Sequence, residues 1–281
     1  MRYTRNMDDD TDPLKELLDT LRDQVDEEAI HSMDAVFLRA AREVVALWRR
    51  WWGLGEPIAV PRPVELKFRM IYPLALHALN NVVVGLDLSQ RLPWIAAEHA
   101  RIAFEHALTA QWVLLTHEGE QKLLVEFQNE AHKRAKEFHN GLGSPSEYAA
   151  MVGAEPPKSD WSVWNACARF ADSPQLFYDI YRNLSGATHP SYGTVMAYLN
   201  ITPDAEVTGL NPIGSASPCD ETPRALGVSA LWALDALEEL RETQPHVLEL
   251  TTIGNSAGLP TCLRDSDQHP ERQRAPKFDE E

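Results

Sequence analysis

An arginine and a histidine share one short segment, RNLSGATH at residues 182–189, and both residue types suit work on a phosphodiester. Guanidinium pairs with phosphate oxygens through parallel N–H donors. Imidazole titrates near neutrality, so it can take and return a proton at physiological pH. Arg182, Ser185 and His189 are separated by three and four residues, which places them on one side of a helix. Phe177, Tyr181 and Leu184 favour a more apolar side. Gly186 weakens the last turn and Pro190 disfavours helical geometry at His189, so the ring is expected at a fraying end, projecting into a cleft. The same features also suit a plain helix ending.

A second polar group lies farther up the chain. Trp94, Glu98, Arg101, Glu105, Leu108 and Trp112 follow steps of three or four, and Arg101 can reach a carboxylate on either adjacent turn. On a solvent face this is an ordinary ion network of small value. Inside a bundle it is a polar site lining a cavity, costly unless fully hydrogen-bonded. His99 and His106 share a neighbouring face, but a metal needs more ligands close around it. The chain has neither HExxH nor the paired Glu-x-x-His helices of a di-iron bundle. Phosphate loop, dinucleotide fingerprint and nucleophile elbow are missing too, so no metal or cofactor is expected.

Helices must position these groups. Apolar spacing predicts helices over about 14–25, 30–53, 63–86, 93–119, 120–139, 161–170, 174–189 and 222–241. Pro73 is expected to kink or divide the third of these, and Pro93 suits the first turn of the fourth. SYGTVMAYLN reads as a short helix or an extended piece. The architecture expected is all-α, an irregular multi-helix bundle. A polar N-terminal tail covers 1–13, one helical domain 14–245 with a loop excursion at 201–221, and a weakly structured region 246–281.

Composition narrows the functions. The 281 residues include 42 acidic and 26 basic side chains, a formal charge of −16. That field opposes a long nucleic-acid groove while leaving room for a small local positive site. No uninterrupted apolar run is long enough to cross a membrane, and MRYTRNMDDDTDP carries no secretory pattern. Cys167, Cys219 and Cys262 are odd in number and far apart, which suits a reducing cytoplasm.

With its helical character, the Arg182-Asn183 pair followed by His189 resembles the motif of the HEPN superfamily, helical proteins that include metal-independent RNases of toxin and antiviral systems. Five Arg–His pairs have four to six intervening residues, and of these only Arg182 is followed directly by asparagine. The resemblance covers this motif and the general helical character. It implies that Arg182 holds the scissile phosphate, Asn183 shapes the site and His189 handles a proton as the RNA 2′-hydroxyl attacks. It implies a homodimer with two motifs in one cleft. Ser185, Glu98, Arg101, Glu105 and His106 would support that site or line a pocket. The long Arg- and Glu-bearing helix also resembles an uncharacterised bacterial helical family, which implies no activity. Two other classes stay open. One is a noncatalytic interaction protein using Trp48, Trp51 and Trp52 or the last apolar helix; the other binds a small molecule between helices at Glu98, Arg101 and Glu105.

Overall fold

Spacing of three and four between apolar residues becomes helix wherever the structure is described. The computed structural model describes residues 33–53, 58–142, 161–170, 174–189, 192–201, 207–211 and 221–264. Expectations for the 1–13 tail, the 14–25 helix, most of the 201–221 excursion and the chain beyond 264 lie outside those residues. Nine α-helices occur among them. They are α1 (Met33–Gly53), α2 (Glu65–Leu88), α3 (Pro93–Leu115), α4 (Gly119–Leu142), α5 (Val163–Arg169), α6 (Pro174–Thr188), α7 (Tyr192–Ala197), α8 (Glu221–Glu238) and α9 (Val247–Ala257). A 3₁₀ turn, Arg62–Val64, leads into α2.

The core is built around α8 and α3. Fifteen α8 residues are buried, from Thr222 to Glu238, because α1, α2, α3, α6 and α9 all pack on it. A helix apolar on nearly every side can be satisfied only in such a central place. Phe104 of α3 and Phe177 of α6 close on Trp232 of α8, with ring centroids at 5.6 and 5.4 Å. Close crossing needs small residues: a Cβ at Gly85 of α2 would lie 2.7 Å from Leu226 Cδ2 of α8. Pro73 is accommodated inside a single continuous α2. The span Arg62–Leu88 is long and apolar enough to cross a membrane by length and composition. Its Ile71, Ala75, Ala78, Leu79 and Val82 are buried in the bundle core.

Helix ends are held by named groups. Pro93 starts α3 at a position whose N–H needs no intrahelical partner. At the other end Lys67 donates to the carbonyls of Leu114 and Thr116 at 3.1 and 3.2 Å, and Arg169 donates to Leu115. Two cations thus satisfy carbonyls at the negative end of the helix dipole.

Three differences from the sequence reading have physical causes. Helix α9 occupies part of the region expected to be weakly structured; its inward residues, Leu250, Ile253, Gly254 and Ala257, are too few and too small to give a strong periodic signal. Gly258, at φ 64°, ends it in a Schellman turn, with Leu259 N–H bonded to Gly254 O at 2.9 Å. SYGTVMAYLN resolves into both alternatives, since α7 is followed by strand β1 (Leu199–Ile201). That strand pairs antiparallel with β2 (Val207–Leu210), inside the stretch expected to be loop, and neither is long enough to show a period of two.

The proposed tryptophan surface is mostly packing. Trp51 is buried beneath the Arg241 guanidinium, 4.4 Å from its ring centroid, and Trp48 is half-buried. The Trp52 side chain lies outside the described residues. Helix α8 is equally sealed. Exposed apolar residues are found elsewhere, among them Leu124, Phe127 and Phe138 of α4, Met33 of α1 and Leu248 of α9.

Candidate functional site

One stripe of α6 gathers the chemistry. Tyr178, Arg182 and Ser185 stand at i, i+4 and i+7, within one narrow sector at about 100° per residue, and His189 follows the last helical residue, Thr188, in a bend. Arg182, within α6, and His189, just past its end, are both exposed and stand seven residues apart in sequence. Asn183 is also exposed, but one residue along the helix it is rotated about 100° out of the stripe.

Helix α3 supplies the support. Arg101 Nε donates to Ser185 Oγ at 3.1 Å, and its Nη2 donates to Tyr181 Oη at 3.0 Å. Its guanidinium carbon also sits 5.1 Å from the Tyr181 ring centroid. Glu105 pairs with Arg101 at 3.4 Å, with side-chain exposures of 28% and 18%. That is too buried for a freely solvated surface pair and too open for the full cost of a buried one. The ion pair forms with Glu105 and not with Glu98, although both are half-buried. Ser185 in turn donates to Tyr181 O at 2.7 Å, so the hydroxyl is fixed from both sides.

Helix α6 ends at Thr188, just before His189 as expected, and side-chain hydroxyls bond its last carbonyls. Thr188 Oγ1 donates to Ser185 O at 3.0 Å. Thr194 Oγ1, on α7, lies 3.1 Å from Gly186 O and 3.0 Å from His189 O and shares its single proton between them. These hydroxyls satisfy carbonyls that have no intrahelical partner. The His189 backbone is thereby anchored while its side chain stays exposed.

His106 belongs to another cluster. Its ring lies against His77 of α2, centroids 4.5 Å apart, and its Nδ1 bonds to Ile102 O at 2.8 Å. Burial lowers its pKa, with the neighbouring His77 acting in the same direction and the Ile102 bond and Glu105 opposing. His99 Nδ1 bonds to Asn81 Oδ1 at 2.9 Å. Among the described residues no group of three His, Cys, Asp or Glu side chains is arranged to hold a metal.

Sequence reading missed the aromatic neighbours of Arg182. Trp164 of α5 meets Tyr178 edge-on at 4.8 Å, and Arg182 lies over Tyr178 at 6.0 Å. Trp164 is 46% exposed, so an indole, a phenol ring and a guanidinium form a short accessible ladder. The i,i+4 step from Tyr178 to Arg182 was visible; the approach of α5 depends on tertiary packing. Equally hidden was the core polar centre on the other half of α3. Gln111 Nε2 donates to Asp235 Oδ2 and to Trp232 O, both at 2.9 Å, while its Oε1 accepts from Leu263 N at 3.3 Å. Burial pushes the Asp235 carboxyl up to about 7, against the opposing Gln111 bond.

A cavity of about 700 Å³ is lined by Phe37, Phe177, Ile180, Val228, Arg224 and Arg264 among others. Glu98, Arg101 and Glu105 are not among the residues that line this cavity. No family model, curated protein or solved structure matches the chain.

Proposed function

We propose that the Tyr178–His189 segment binds single-stranded RNA and cleaves it without a metal, in a HEPN-like manner, as a cytoplasmic homodimer. The observation that carries this reading is the exposure of both Arg182 and His189 at the end of α6, with Ser185 between them in sequence held by Arg101. Arg182 would grip the non-bridging oxygens of the scissile phosphate. His189 would accept the 2′-hydroxyl proton as that oxygen bonds to phosphorus and the bond to the 5′-oxygen breaks. The leaving oxygen takes a proton from solvent or from the protonated His189 of a second copy. The products are a 2′,3′-cyclic phosphate and a 5′-hydroxyl.

Trp164 and Tyr178 extend this reading to single strands, because every unpaired base offers a face for an aromatic ring. The charge of −16 favours a compact loop that brings few phosphates near the protein. Incubating the protein with mixed cellular RNA in EDTA and mapping new ends tests the reading. Cleavage should disappear with His189→Ala while the helical spectrum stays unchanged. Equal cleavage by this variant would refute the assignment.

A noncatalytic interaction protein is the second reading, favoured by α4. Its exposed Leu124, Phe127 and Phe138 fall on one stripe, suited to a partner's apolar groove. Absence of cleavage by the wild-type chain across structured and unstructured RNA would favour it.

A further inference from the structure

Away from Arg182 and His189, the 700 Å³ cavity combines apolar walls with cationic side chains. Its walls are apolar, formed by Phe37 of α1, Phe177 and Ile180 of α6, Val228 of α8, and Leu259. Two cationic side chains, Arg224 and Arg264, share it, and among the described residues no Asp or Glu lines it. In a chain with 16 more acidic than basic groups, that local balance is inverted. The volume falls within the range of small-molecule sites.

Placement strengthens the asymmetry. Arg224 stands in the first turn of α8, whose dipole adds positive potential at the same end. It lies over the Phe37 ring at 5.5 Å, so its position is fixed against the apolar wall. Glu221 pairs with it at 3.1 Å and would share the guanidinium with an incoming anion. Arg264 is exposed and bonds to the Cys262 side chain. Burial, with Asp235 nearby, raises the Cys262 pKa, so the thiol that lines the cavity adds no negative charge. Thr251, Asn255 and Thr261 supply neutral polar edges.

We infer that this cavity binds a small amphipathic carboxylate, with its hydrocarbon among Phe37, Phe177, Ile180 and Val228 and its anionic head at Arg224 and Arg264. The site is independent of the RNA reading and survives its failure. Phe177 links it to the core through the edge-on contact with Trp232, so an occupant adds packing on the far side of that ring.

The test is calorimetric titration of the full chain with decanoate and with decanol, which has a similar alkyl chain and no charge. Decanoate should bind at one site and more tightly than decanol. Arg224→Gln combined with Arg264→Gln should weaken decanoate by about tenfold or more, through loss of two charge-assisted contacts, and leave decanol unchanged. Arg264→Gln alone, at an exposed residue outside the helices, should give part of that loss with an unaltered helical spectrum. No decanoate binding, equal affinity for the two probes, or equal losses in the variants would overturn the inference. It would also be overturned if decanoate bound only after Leu14, Leu17 and Leu18 were replaced by serine, which would make the chain's own N-terminal segment the occupant.

Discussion

Arg101 Nε on α3 and Ser185 Oγ on α6 meet at 3.1 Å, joining two helices 84 residues apart in the chain. The bond places a partly buried cation beside the segment that carries Arg182 and His189. Its Nη2 bond to Tyr181 and its Glu105 pair give the guanidinium partners on two helices. Arg101 is therefore a positioning residue. Arg101→Ala should cost about 1–3 kcal/mol of stability by leaving those partners unmatched. Arg101→Lys should recover less than half, because an ammonium cannot reproduce the fork. Urea denaturation of the three proteins measures this; a full lysine rescue would show that charge alone is needed.

Trp164 is expected to act in binding rather than folding. Its ring is half exposed, and its identified ring contact is Tyr178. Trp164→Ala should weaken binding of a short unpaired RNA by about 1–3 kcal/mol, the scale of base–aromatic stacking. The thermal midpoint should move little. Fluorescence anisotropy with a labelled oligonucleotide provides the readout, and unchanged affinity would remove the aromatic ladder from the RNA site.

The Asp235 carboxyl sets a pH dependence of stability. Its folded pKa of about 7 lies above the ordinary 3.8 because burial disfavours the charge. Between those values the folded state holds a proton that the unfolded state has lost. The stability linked to this group is full below pH 3.8 and is lost as pH rises through about 7. Asp235→Asn keeps an acceptor for Gln111 and cannot ionise. It should raise stability at pH 8 by roughly 4 kcal/mol relative to its effect at pH 4. Chemical denaturation at the two pH values checks the sign.

Glu238 and Arg241 form a different kind of pair. Their side chains are 0% and 5% exposed and lie 2.6 Å apart. Glu238 also accepts from His246 N at 3.0 Å, linking α8 to the start of α9. Arg241→Ala should destabilise by about 3–5 kcal/mol because it leaves a buried carboxylate unpaired. Replacing both residues with apolar ones of similar volume should cost much less, which equilibrium unfolding can establish.

These residues also show how far sequence reaches. α3 was legible because Pro93 marks its start and its apolar spacing continues through Trp112. The placement of Arg182 and Ser185 one turn apart on α6 was legible for the same geometric reason. Tyr181 looked apolar in sequence, yet its hydroxyl meets Arg101, since which face of α6 turns toward α3 is decided by packing. His106 went the other way: local spacing put it near the charged group, whereas α2 draws it against His77. The paired role of Glu238 and the elevation of Asp235 come from burial under α1, α3 and α9, which no local pattern encodes. The cavity arises from segments as distant as Phe37 and Arg264, so its chemistry emerges only after folding.

The most direct test uses an RNA that the wild-type chain cuts and a copy carrying a single 2′-deoxy nucleotide at the mapped scissile position. In EDTA the all-RNA strand should yield a 2′,3′-cyclic phosphate and a 5′-hydroxyl, whereas the substituted strand should stay intact at that bond while binding equally well. Cleavage of the deoxy-substituted bond, or wild-type activity from His189→Ala on the all-RNA strand, would contradict the account.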